Sequence, residues 1–387
     1  MSEKMTSINH NILVWARENS GTSLTEAYQK FGKVKIDAWE SGTDYPTYAQ
    51  LRALSDYYRR PMAIFFFPEP PKIKDLSASC RTLPSQLHSL FSRNFVKILD
   101  EARIMQLNLY DLYDGKNPAL IHFSDCTFDI DDIENAAKQL RDFLNAPLAE
   151  QKSVKGMDSY FEYWRDKFYN AGIYVFKDAF KDMDISGFCL YDDEFPIIFI
   201  NNSYSFTRQV FTLFHEVFHL MAKTSGLDIY NDLALNTHVT GYNKKIEMFC
   251  NKFASVFLVP NEDFSIVYRN INPHDDNDIQ RLANRYSVSR EVILRKLLDR
   301  GEIDNKEYDE KSALYTTDYF RVKKNNNDNT HGNYYNTQIS YKGIRYVETA
   351  YSKYYEGRIS ISQLSNYMKM KIPHLQTLAE RKGWIAL

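Results

Sequence analysis

Apolar positions recur with helical spacing over most of the chain. Residues 8–60 read as short helices with tight turns: Ser23 to Glu26 has capping-box spacing, Gly32 ends that helix, and Asp44-Tyr45-Pro46 punctuates before another at 47–58. Four prolines within 61-PMAIFFFPEPPK-72 close this first module. From about 90 to 146 the spacing is again mostly helical and reads as a connector. Three short β-like runs follow, GIYVF at 172–176, SGFCLY at 186–191 and PIIFIN at 196–201, and then a helix around 210–222. A second helix, 244–258, ends before Pro260, and 278–300 reads as two helices broken at Ser287-Val288-Ser289, with Ser289 as N-cap. The Asn-rich 323–336 reads as an exposed break, and 338–387 as a strand pair with two or three helices. No internal repeat is visible, and the fold class is α+β, mostly helical.

Composition narrows this little. A chain of 387 residues, 44% hydrophobic and 15% aromatic, can bury two or three cores. The formal charge of −2 gives no global attraction to nucleic acid or an anionic membrane. The N-terminus lacks the apolar core of a signal peptide and no run has the length of a membrane span, so the expected location is cytoplasmic and no membrane partner is expected. Cys80, Cys126, Cys189 and Cys250 are widely spaced and read as buried thiols, not as a disulfide framework or thiolate metal site.

The chemistry concentrates in 210-VFTLFHEVFHLMA-222. This helix is apolar nearly all round, yet it carries His215, Glu216 and His219, whose burial without partners would cost kilocalories. Positions i and i+4 place two imidazoles on neighbouring turns of one face, where they can share a Zn2+ ion. A catalytic zinc needs a further protein ligand and an open position for water. Glu247 is the candidate ligand, because 246-IEMFCNKFASVFLVP-260 is a second apolar helix in which a lone carboxylate would be expensive. Glu216 would then act as general base on the metal-bound water and pass its proton to the leaving amine. The alternatives are core histidines satisfied by neighbours, a solvated Glu216, and a Glu247 favoured by a helix dipole. Asn251, one turn after Glu247, orients a ligand or makes an ordinary interhelical hydrogen bond. Tyr242 and His238 are candidates to stabilise an oxyanion, against a reading as packing or surface groups. PIIFIN, as an edge strand, could pair with an extended peptide, which makes a polypeptide the substrate.

These residues resemble a known family. FTLFHEVFHL followed by EMFCNKFA, Glu247 to Ala254, is similar to the F-T-x-x-H-E-x-x-H and E-x-x-A-N-x-F-A patterns of the ImmA/IrrE metallopeptidases, with Cys250 where alanine usually stands. The resemblance implies a zincin-like domain of gluzincin type, with His215, His219 and Glu247 on zinc and Glu216 as acid/base. It further implies an endopeptidase cutting a repressor, antitoxin or similar partner encoded by a neighbouring gene, in a stress, phage or toxin–antitoxin setting. SVSREVILRKL resembles that family's helix-turn-helix-like segment.

The N-terminus resembles an Xre-type helix-turn-helix through 21-GTSLTEAYQKFG-32, the Trp39-Glu40-x-Gly42 turn and 46-PTYAQLRAL-54. This implies a second reading: a DNA-binding regulator or antitoxin that neutralises a toxin by binding, with the peptidase silent or conditional. Residues 1–70 hold eight Lys/Arg against eight Asp/Glu, so the electrostatic contribution that carries most phosphate binding is missing. The more basic 278–301, with Arg281, Arg285, Arg290, Arg295, Lys296 and Arg300, reads as a solvated helix face. The expected organisation is a helix-turn-helix-like domain at 1–70, a helical connector at 71–154, the peptidase domain with a small sheet at 155–262, a helix-turn-helix-like segment at 263–305 and an α+β module at 306–387.

Overall fold

The computed structural model describes residues 4–20, 22–58, 60, 65–66, 93–180, 185–224, 227–229, 241–326 and 333–384. The chain divides into two compact units, Met1–Ser79 with Pro84–Glu101, and Cys80–Leu83 with Ala102–Leu387. The first contains α1 (His10–Asn19), α2 (Leu24–Phe31), α3 (Lys33–Glu40) and α4 (Tyr48–Tyr58), closed around Ile12, Ile36, Trp39, Leu51 and Leu54. Ser23 and Glu26 form the expected capping box, and Gly32, at φ +93°, ends α2 and opens α3 directly. The chain passes between units within α5 (Arg93–Leu112).

The second unit is mixed. Helices α6 (Ile133–Phe143), α7 (Leu148–Ser153) and α8 (Met157–Asn170) precede strands β1 (Tyr174–Asp178), β2 (Ile185–Leu190) and β3 (Ile197–Asn201). Then come α9 (Phe206–Met221), β4 (Leu227–Ile229), α10 (Gly241–Leu258), α11 (Asn261–Tyr268), α12 (Asp276–Tyr286) and α13 (Arg290–Asp299). The chain continues as α14 (Asn305–Asn326), α15 (Tyr334–Lys342), α16 (Ile344–Tyr355), α17 (Ile361–Met368) and α18 (Ile372–Lys382). Mostly helical α+β is therefore the fold class. Ser289 caps α13 by accepting from the Val292 N–H, as its position predicts. Among the described residues no helix is long and apolar enough to cross a membrane.

The sheet order is β1-β3-β2-β4, with β1 and β3 parallel and the other pairings antiparallel. β3 is thus interior, bonded on both sides, and it cannot receive a peptide as the sequence reading expected. Three other expectations also fail. The strand pair expected after residue 338 is absent among the described residues, which are helical there. Tyr346, Val347, Ala350 and Tyr351 are buried on one face of α16, a helical period that outweighs the β-branched and aromatic composition around Gly343. Part of the expected Asn-rich break is helical, since α14 runs to Asn326 and α15 starts at Tyr334, while 327–332 lie outside the described residues. Lys296 is not on a solvated face: it is buried and donates to Asn261 Oδ1 at 2.6 Å.

Two devices hold α9 and α10. Phe214 of α9 stacks on Phe257 of α10 at 4.2 Å between ring centroids, and Trp164 of α8 meets both edge-on. Arg141 of α6 donates to Phe257 O at 2.6 Å and Gln151 to Leu258 O at 2.9 Å, which satisfies carbonyls that the end of α10 leaves open. On the sheet side, α9 approaches β2 so closely that a Cβ on Gly187 would lie 2.5 Å from Thr212 Cγ2 and 2.9 Å from Phe199 O. Replacing Gly187 by alanine should therefore cost about 1–3 kcal/mol by overpacking, read as a lower denaturant midpoint; an unchanged midpoint would contradict this packing.

Candidate metal centre

Helix α9 forms because Ser205 caps it, accepting from the Arg208 N–H, and because its apolar residues are drawn into the core of the second unit. The same burial encloses His215, Glu216 and His219, at 1%, 0% and 0% exposure. The two imidazole rings lie 5.3 Å apart, centroid to centroid, on successive turns. Across from them α10 presents Glu247, Cys250, Asn251 and Ala254, the i, i+3, i+4 and i+7 positions of one helical face.

Glu247 bridges the two histidines. Its Oε2 lies 3.0 Å from His215 Nε2 and its Oε1 lies 3.4 Å from His219 Nε2. Burial by itself would raise the Glu247 carboxyl, but the neighbouring imidazoles override it and hold it down at about 2. Asn251 Oδ1 stands 3.1 Å from His215 Nδ1. An amide oxygen can only accept, so His215 Nδ1 donates to it, which leaves Nε2 facing the Glu247 carboxylate. His219 is close enough to Glu247 for an ion pair, yet among the described residues neither of its buried ring nitrogens makes a hydrogen bond of good geometry.

Two imidazole nitrogens and a buried carboxylate that face one another at these distances need a proton or a metal cation between them. Ligand atoms about 2.1 Å from a tetrahedral zinc lie about 3.4 Å from one another, close to the spacings found here. Two nitrogens and one carboxylate oxygen also suit Zn2+ and its borderline neighbours. The residues present therefore fit a divalent metal.

Of the residues singled out in the sequence, His215, His219, Glu247 and Asn251 are brought together, and Glu216 is buried on the same helix beside them. His238 and the side chain of Tyr242 lie outside the described residues, as does Cys80. One neighbour was not anticipated: the Cys250 thiol lies with nitrogens of His215 and His219 inside a 4.8 Å group. The signal was available, since Cys250 stands three residues after Glu247 and so shares its face. Cys189 is buried as expected, whereas Cys126 is half-exposed.

Chelator-treated protein should take up one equivalent of Zn2+ and melt at a higher temperature, and His219→Ala should lose both effects. Uptake and melting that are the same in that variant would dissociate the histidines from any metal.

Residues 169–298 match the family model Peptidase_M78, described as the IrrE N-terminal-like domain. Comparison with curated proteins gave no match. The matched span covers about a third of the chain and runs from the end of α8 through the four strands, α9 and α10 to α13. By this span the chain is similar to metallopeptidases of the ImmA/IrrE type, which are generally zinc-dependent.

Proposed function

We propose that this protein is a zinc-dependent endopeptidase of the HExxH, gluzincin-like type that cleaves a regulatory protein, a repressor, antitoxin or similar partner encoded by a neighbouring gene. The observation that carries the reading is the convergence of His215 Nε2, His219 Nε2 and the Glu247 carboxylate from two apolar helices. Within it, His215, His219 and Glu247 hold the ion, and Asn251 holds the His215 ring with its Nε2 lone pair facing inward.

Bound zinc would supply a water of lowered pKa and polarise the scissile carbonyl. Glu216 takes the proton of that water and later delivers it to the leaving amine. Phe218 and Phe253 belong to the core in which the polar cluster is buried, and Phe211 packs against that core, so the charged groups act in apolar surroundings. With β3 interior, the outer strands among the described residues are β1 and β4, and an extended polypeptide would pair with one of these.

Glu216→Gln should keep the metal and lose cleavage by at least about a hundredfold. The check is to incubate the neighbouring gene's product with both proteins and to measure bound zinc in each. A tight complex that forms equally with wild type and Glu216→Gln, with no cleavage by either, would instead favour a protein that holds its partner. Asn251→Ala should weaken zinc binding about 10–100-fold through the freed His215 ring, measured by competition with a chelator of known affinity. Unchanged affinity would reduce Asn251 to a packing residue.

A further inference from the structure

Three residues, Lys369, Met370 and Lys371, join α17 to α18. Lys369 takes the left-handed conformation at φ 49°, and the Lys369 and Met370 N–H groups return to Asn366 O and Ser365 O. Ser365 Oγ donates to Met370 O at 2.6 Å, and the Met370 side chain is buried, so the turn is held from both sides. Leu364, Tyr367 and Met368 of α17 are buried, as are Leu375, Leu378 and Ala379 of α18. Behind them stands α16, which packs on α17 and whose Tyr351 hydroxyl donates to Leu375 O at 2.8 Å. Two helices closed by a three-residue turn and backed by a third helix are the framework of a helix-turn-helix.

The charge of this element differs from that of the chain. Residues 369–382 hold four Lys/Arg, at Lys369, Lys371, Arg381 and Lys382, against Glu380 alone, whereas the whole chain has a formal charge of −2. All four cations are exposed, and Arg381 lies over the Tyr335 ring at 4.7 Å. Between the two pairs, the opening turns of α18 turn Ile372, Pro373 and Gln376 to solvent, with Ile372 48% exposed. Cations at both ends of a short helix and an uncharged surface at its start suit a polyanion with an apolar and hydrogen-bonding floor, which is the major groove of duplex DNA.

Helices α12 and α13 share the turn, with Ser287 at φ 57°, Val288 buried and Ser289 as N-cap, but not the charge. There Arg295 pairs with Asp299 at 3.0 Å, Arg290 pairs with Asp318 at 3.5 Å, Lys296 is buried, and α14 packs on α13. The helices of the first unit lie in a stretch, residues 1–70, whose charges balance. Among the described residues, α17 and α18 thus combine the turn with a net positive outer face.

We propose that α16, α17 and α18 form a DNA-binding module in which α18 enters the major groove of duplex DNA. Lys369, Lys371, Arg381 and Lys382 meet phosphates, while Ile372 and Gln376 face the base edges, where an amide can bond adenine N6 and N7 and an aliphatic side chain can touch a thymine methyl. This module stands apart from the metal centre and does not rest on the peptidase reading.

The test is fluorescence anisotropy of the full chain with a labelled DNA duplex of mixed sequence, two helical turns long, at a series of salt concentrations. Affinity should fall steeply as salt rises, and the double variant Lys371→Glu, Lys382→Glu should weaken binding at least about tenfold at an unchanged melting temperature. Gln376→Glu puts a carboxylate on the same face without removing a lysine, and should also weaken binding if the double variant proves unstable. The equal charge change Lys33→Glu, Lys35→Glu, made in the first unit, should leave affinity unaltered. Methyl green, which occupies the major groove, should compete with the protein, and netropsin, which occupies the minor groove, should not. No binding at low salt, the same loss in both double variants, displacement by netropsin, or tighter binding of a single-stranded RNA of the same length each overturns the module.

Discussion

The second unit is organised around one electrostatic constraint: a carboxylate and two imidazoles are buried among phenylalanines and leucines. Each group alone would cost several kilocalories in such surroundings. Together they form a self-consistent cluster, in which Glu247 stays ionised against the effect of burial because His215 and His219 face it. Two ring nitrogens and a carboxylate oxygen that converge at such spacings make the cluster a receptor for a cation.

A receptor of this kind works only if two helices keep their spacing and rotation. The apolar faces of α9 and α10 fix the spacing through Phe214 on Phe257 and Phe218 near Phe253. The sheet fixes the rotation of α9, since Gly187 lets Thr212 sit directly on β2 and any larger residue would lift or roll the helix. Asn251 then sets the tautomer of His215 from α10, one turn after Glu247. Chemistry and packing are thus carried by alternating positions of the same two segments.

Much of this centre is legible in the sequence because it is local. The i, i+4 spacing of His215 and His219, the carboxylate stranded in an apolar helix at 247, and the caps at Ser23 and Ser289 follow from helix geometry alone. What misleads is what depends on distant partners. PIIFIN looks like an edge strand in isolation, but a parallel crossover puts β1 on one side of it and β2 on the other. Cys250 looks like a core thiol until α9 is placed opposite. QISYKGIRYV has the composition of a hairpin, and only its burial pattern, Tyr346 and Val347 with Ala350 and Tyr351, reveals two helices around Gly343.

The carbonyl ends of α10 are held from outside the span that carries the catalytic motifs. Arg141 and Gln151, which donate to Phe257 O and Leu258 O, belong to α6 and α7, upstream of residue 169. A fragment trimmed to the recognisable motif region would leave those acceptors bare, at about 1–3 kcal/mol each, beneath the helix that bears Glu247. The smallest piece able to fold as a hydrolase is therefore larger than the piece that bears its signature, and excision has to begin ahead of Ile133.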